Sequence, residues 1–191
     1  KLNTMKKLMI GLVLFAVAGL AFAFYTPEAK QAPTAEAAEI EWYSWEEAMK
    51  ANEENPKKIF VDVYTDWCGW CKKMDQTTFK DPVIAKFMNE HYYAVKFDAE
   101  RTDTVLFQNR VYSNPNPNGR RSSHELARAL LNGRMSYPSF VFLTEEGQPI
   151  TIVPGYQKAA GFEPILHFIA EEAYKNQSWE QYSGSFEGSF K

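Results

Sequence analysis

The sequence predicts an α/β domain, a central mixed β-sheet with helices on both faces. Short apolar, β-branched runs alternate along the chain with stretches of helical period, an order of elements that layers helices over a sheet. The length of 191 residues suits one domain plus some extra sequence. A composition of 45% hydrophobic, 15% aromatic and 24% charged residues suits a packed core and excludes a wholly disordered, collagen-like or coiled-coil chain. The formal net charge of -3 lacks the basic footprint of nucleic-acid binding, so no nucleic-acid partner is expected.

The elements follow in order. Lys6 and Lys7 precede an uncharged apolar run over 8–24, and Ala21-Phe22-Ala23 supplies the small residues of a cleavage site. Residues 1–23 therefore read as a signal peptide, which places the domain in the periplasm or another exported location. The alternative is an uncleaved membrane tether, for which the run has the shortest workable length. Residues 24–39 are rich in Ala, Pro, Glu and Thr without apolar periodicity, the composition of a flexible linker. The folded domain is expected over 40–176.

Residues 44–54 read as a helix: Ser44 caps, Glu47 stands three residues on, and Trp45, Ala48 and Met49 form the apolar stripe. Asn55-Pro56 ends it. The run 59–64 (IFVDVY) has the look of a buried strand. A helix over 70–79 follows, then a second from Asp81-Pro82 to about Glu90, with the aspartate as cap and the proline in the first turn. Residues 92–98 form the next strand. The chain then makes a long excursion over 99–135. Its stretch 113–119 (SNPNPNG) is dense in turn residues, Ser122-x-x-Glu125 resembles a capping box, Leu126, Leu130 and Leu131 give a helical face, and Gly133 ends it. Strands over 139–144 and 150–153 flank a Glu146-Gly147 turn, and a helix over 162–175 closes the domain. The tail, 177–191, is Gly/Ser-rich with scattered aromatics.

Only two cysteines are present, Cys68 and Cys71, in Trp67-Cys68-Gly69-Trp70-Cys71-Lys72. The motif follows a buried strand and opens a helix. Cys68 then sits where unpaired N–H groups and the helix dipole favour a thiolate, and Cys71 lies nearly one turn on, within reach of a disulfide. In such a pair the first cysteine attacks and the second resolves the mixed disulfide. Two other readings stand beside redox chemistry. A purely structural bridge closing so few residues constrains the unfolded chain little. Two thiolates suit Zn or Cu(I), but His91, His124 and His167 are scattered singly, so no metal ligand set is assigned.

At this point the chain resembles the thioredoxin superfamily, and within it the exported proteins of the thiol-disulfide interchange group. The stretch 59–72 (IFVDVYTDWCGWCK) carries the likeness, together with Tyr137-Pro138 before a strand, Lys96 in a neighbouring strand and Gly155 after the last one. The resemblance spans about residues 39–174 and implies a thioredoxin-like fold. It implies catalytic roles for Cys68, Cys71, Asp62 and Lys96, and a client-binding surface from Trp67, Gly69, Trp70, Tyr137 and Pro138, the last in a cis peptide. A lone acid inside 59–64 is costly to bury without a purpose, and a buried carboxylate takes a proton near neutral pH, so Asp62 is expected to serve Cys71 as proton acceptor. Trp70 stands where relatives carry proline or histidine, so a redox potential cannot be inherited. Arg120, Arg121 and Arg134 beside the excursion suggest either an anionic partner or a solvated loop.

The function expected is an exported thiol-disulfide oxidoreductase, in the reductase or isomerase direction, with no bound cofactor. Its partners are client proteins bearing thiols or disulfides, and a redox partner protein, membrane-bound or free. The competing functions are a Cu(I) metallochaperone using the same cysteines and a non-catalytic thioredoxin-fold module.

Overall fold

The computed structural model describes residues 39–190, so the expected signal peptide and nearly all of the expected linker lie outside the described residues. In chain order the first half forms β1 (Trp42–Tyr43), α1 (Trp45–Glu54), β2 (Lys58–Tyr64), α2 (Gly69–Gln76), a 3-10 turn (Thr78–Lys80), α3 (Pro82–His91) and β3 (Tyr92–Asp98). The second half forms a hairpin of β4 (Val105–Phe107) and β5 (Arg110–Tyr112), then α4 (Glu125–Leu130), β6 (Ser139–Leu143), β7 (Pro149–Pro154), α5 (Ala159–Ala170), a 3-10 turn (Ala173–Lys175) and α6 (Trp179–Ser185).

The main sheet runs β1-β3-β2-β6-β7, with the first three strands parallel and β6 and β7 antiparallel. The expected mixed sheet with helices on both faces is present. Strand β2 lies at its centre, buried at every residue but Tyr64. Because side chains alternate, its odd residues Ile59, Val61 and Val63 face α1 and α4, where Trp45, Ala48, Leu126 and Leu130 pack. Phe60 faces the other way, into a cluster with Met74 of α2, Ile84 and Met88 of α3, and Phe162 and Leu166 of α5. Asp62 shares the face of Phe60. The period of the strand alone therefore aims this carboxylate beneath α2, the helix that carries Cys71.

Both expected helix starts at 44 and 81 form as read. Ser44 accepts from the Glu47 N–H while Glu47 accepts from the Ser44 N–H, a complete capping box. Asp81 Oδ1 accepts from the N–H groups of Val83 (2.9 Å) and Ile84 (3.4 Å), with Pro82 in the first turn. Asp81→Ala is expected to cost about 1 kcal/mol, read as a lower urea midpoint at unchanged slope.

Elsewhere the structure departs from the expectation. Strand β1, unpredicted, is two residues long, too short to show a period. The helix expected over 70–79 stops at Gln76, where the Thr77 hydroxyl donates back to the Lys73 carbonyl (2.7 Å) and Thr78 donates to the Gln157 carbonyl (2.6 Å). The excursion contains the β4–β5 hairpin, turned by Gln108 (φ 48) and Asn109 (φ 60), two left-handed residues without a glycine to announce them. The Ser122-x-x-Glu125 capping box does not form. The Ser122 hydroxyl donates to Asn114 Oδ1 (2.7 Å), Glu125 accepts from the Ser113 N–H (3.0 Å), and His124 caps α4 instead, its Nδ1 accepting from the Leu126 N–H (3.1 Å). The last long helix starts at Ala159 rather than Phe162 and ends at Ala170, before Glu172 turns left-handed (φ 57). The aromatic tail packs: Trp179 and Tyr182 meet Phe168 of α5, and the Ser189 N–H donates to the buried Glu163 carboxylate.

Candidate active site: a disulfide above a buried carboxylate

From the end of β2 the chain turns sharply, the Cys68 N–H donating to the Thr65 carbonyl (3.1 Å), and α2 begins at once. Cys68 is the N-cap residue of α2 and Cys71 lies on its first turn. The two are joined as a disulfide, with Cα atoms 5.3 Å apart. The Cys71 N–H donates to Cys68 Sγ (3.0 Å), so the sulfur occupies the place of a capping oxygen and meets one of the orphan donors of the helix end. Both cysteines are nearly covered, Cys68 at 5% exposure and Cys71 at 2%.

On the face of β2 that packs against α2, Asp62 is fully buried. It lies opposite Lys96 in the β2–β3 register, and Lys96 Nζ donates to its Oδ2 (2.6 Å). Its Oδ1 is buried with no hydrogen-bond partner among the described residues. Burial pushes the Asp62 carboxyl up to about 6, although the Lys96 ammonium beside it pulls the other way. Burial disfavours the Lys96 ammonium, but Asp62 and Asp75 outweigh that and hold its pKa above the ordinary lysine value. Lys96 also donates to Asp75 of α2, and its ammonium rests over the rings of Trp42 (4.6 Å) and Phe79 (5.0 Å). The unpredicted β1 thus supplies one wall of the lysine site.

Around the disulfide the surface is aromatic. Trp67 and Trp70 are half-exposed or more and point to different neighbours. Trp67 meets Tyr137 edge-on at 5.8 Å and donates from Nε1 to Glu100 (3.1 Å). Trp70 lies against Tyr156 at 5.4 Å. The Tyr137–Pro138 peptide is cis, and the Pro138 carbonyl accepts from the N–H of Gly155, whose φ of 85 suits glycine. Gly69 has open space where a Cβ would stand, so nothing steric demands glycine there.

The family of thioredoxin-like domains matches residues 45–170. The chain belongs to this thioredoxin-like family. An uncharacterized protein of Caenorhabditis elegans is 30% identical over 141 residues, which is 70% of this chain and 17% of that protein. Human spermatogenesis-associated protein 20 is 30% identical over 146 residues, 73% of this chain and 16% of its own length. The thiol:disulfide interchange protein DsbD of Salmonella typhimurium is 28% identical over 113 residues, 58% of this chain and 16% of DsbD. This thioredoxin-like chain therefore spans about a sixth of the length of these relatives. Among solved structures, a DsbH oxidoreductase covers 78% of this chain and 94% of its own at 21% identity, and a thioredoxin from Thermus thermophilus covers 78% and 98% at 16% identity, each with a TM-score of 0.51. At those identities the likeness is one of fold.

The thioredoxin-like site contains residues that sequence reading missed. Asp75 carried a usable signal, since it stands four residues after Cys71 and so shares its helix face. Tyr156 and Glu100 carried none, because each reaches the site from a remote loop, and Arg121, noted in the sequence only as one of three loop arginines, is placed on Trp67 by the fold. The three histidines sit elsewhere: His124 caps α4, while His91 and His167 both lie against Phe87. Among the described residues no three His, Cys, Asp or Glu side chains gather into a metal-binding group. Among the same residues no helix is long and apolar enough to cross a membrane.

Proposed function

We propose that the protein is an exported thiol-disulfide oxidoreductase that exchanges its Cys68-Cys71 pair with cysteines of client proteins, working as a reductase or isomerase. The observation that carries this reading is the disulfide at the start of α2, the helix that packs over the face of β2 holding the buried Asp62 and its partner Lys96. Export rests on the leader pattern of residues 1–23.

In the reducing direction the Cys68 thiolate attacks one sulfur of a client disulfide. That S–S bond breaks, the first client thiolate leaves, and a Cys68–client mixed disulfide forms. Asp62 takes the Cys71 thiol proton, and the resulting thiolate attacks Cys68 Sγ. The second client thiolate leaves, and the Cys68–Cys71 disulfide is restored. Two electrons have passed to the client, so a dithiol redox partner must reduce the pair before the next turnover. Isomerisation uses the first attack alone, followed by return of the client's own thiol.

Equilibration with defined glutathione mixtures tests the reading. The reduction potential is expected between about -270 mV, the thioredoxin value, and about -180 mV, that of protein disulfide isomerase. A value near -120 mV reverses the direction, and failure to form mixed disulfides with any thiol client removes the activity.

A further inference from the structure

The loop over 113–122 lies more than forty residues beyond the cysteines, yet it ends on the active-site tryptophan. Arg121 adopts a left-handed backbone (φ 58) and lays its guanidinium over the Trp67 ring, Cζ 4.7 Å from the ring centroid. Glu100 holds the indole N–H and Tyr137 packs on the ring edge. Trp67 is thus fixed on several sides while half of its surface stays open.

The loop itself is internally tied. Buried Asn114 donates to the carbonyls of Arg101 (3.1 Å) and Ser122 (2.8 Å), and its Oδ1 accepts from Ser122 Oγ (2.7 Å) and the Asn116 N–H (3.1 Å). The neighbouring His124 N–H donates to the Ala99 carbonyl (2.7 Å), fastening the end of the loop to the end of β3. Arg121 is therefore presented by a braced loop and steadied by the ring beneath it. Among the described residues it forms no ion pair, not even with Glu100 on the same indole. A stacked guanidinium keeps its edge donors free, and their fork matches a carboxylate. On a chain of net charge -3, Arg121 holds an unpaired positive charge on the ring of the residue that precedes Cys68.

We propose that Arg121 is a specificity residue, and that it selects partner proteins with an acidic residue close to the reacting cysteine. The guanidinium takes that carboxylate while the open part of Trp67 packs beside the peptide. The inference rests on the exchange activity proposed above and adds which thiols and disulfides that site prefers.

The test uses the reduced full chain and two short disulfide-linked peptide homodimers that differ in one residue beside the cysteine, aspartate in one and lysine in the other. The aspartate-to-lysine rate ratio is taken for each protein and divided by the same ratio measured with a small dithiol, which cancels the peptides' own chemistry. Wild type is expected to favour the aspartate peptide about three- to tenfold, less at high salt. Arg121→Gln is expected to bring the ratio towards one, and Arg121→Glu to invert it. Arg120→Glu changes net charge by the same amount at the adjacent exposed residue and is expected to keep the wild-type preference. A ratio unmoved by Arg121→Glu overturns the proposal, as does an equal effect of Arg120→Glu, which would mean diffuse charge rather than an anchor. If neither peptide reacts with wild type, the exchange activity itself falls and the inference falls with it. Reaction without charge preference removes only the inference.

Discussion

Cys68→Ser is expected to reduce exchange to the uncatalysed background, while Cys71→Ser is expected to leave a chain that captures clients as mixed disulfides and does not release them. The asymmetry follows from position. Cys68 caps α2, where the helix end presents unpaired N–H groups to its sulfur, and one of them, from Cys71, already lies 3.0 Å away. Those donors are expected to stabilise a thiolate on Cys68 and to leave Cys71, one turn further in and 2% exposed, as the resolving thiol. Gel mobility under non-reducing conditions reads the captured complexes directly. Alkylation of the reduced chain against pH should show Cys68 titrating below the free-thiol value of about 8.5. Complexes that accumulate with Cys68→Ser instead, or a Cys68 that titrates at or above that value, would reverse the assignment.

The second large effect belongs to Asp62→Asn, and it runs in opposite directions for stability and for rate. In the folded chain burial pushes this carboxyl from 3.8 to about 6. As pH rises through 3.8 the unfolded chain loses the proton first, while the folded chain keeps it until about 6. Stability therefore falls across that window and stays low above it, by an amount that the two values put at roughly 3 kcal/mol. Asparagine keeps the shape and cannot ionise, and Lys96 retains Asp75 as a partner. The variant is expected to match wild type near pH 4 and to exceed it by about 1–3 kcal/mol near pH 8, measured by denaturation of the oxidised chain. Over the same range exchange should slow, up to the ~10²–10⁴-fold that a general base contributes. A stability difference that ignores pH would mean that Asp62 does not titrate in this window. Unchanged exchange kinetics between pH 6 and 8 would remove its part in proton transfer. Lys96→Met serves as the counterpart: it strips the buried carboxylate of its cation and is expected to carry the loss of stability on to higher pH, making the total loss larger.

Several features were legible because their causes are short-range. The capping residues Ser44 and Asp81 act on N–H groups two or three residues away, so the helices they start are visible in a few letters. The run 59–64 shows its burial in its own composition, and Cys68 and Cys71 are one turn apart whatever surrounds them. The alternation of such elements implies the sheet, and the likeness to thioredoxins adds the placement of Asp62, Lys96 and Tyr137-Pro138. Where the reading failed, a remote group had taken over a local one. Ser122 and Glu125 have the letters of a capping box, but Asn114 and Ser113 engage both side chains, and a buried histidine caps the helix in their place.

By itself, then, the sequence determined the layered α/β architecture, the strand-to-helix setting of the thiol pair and the presence of an acid in the central strand, all of which follow from periodicity and chemistry within a few residues. Tertiary structure alone decided what closes around that acid. The parallel register of β2 and β3 sets Lys96 opposite Asp62, Asp75 and Trp42 close around the lysine, and the braced loop brings Arg121 to Trp67 from 54 residues away. Such contacts depend on which strands pair and how a long loop closes, and those are settled by packing the whole core, which no local window of residues encodes.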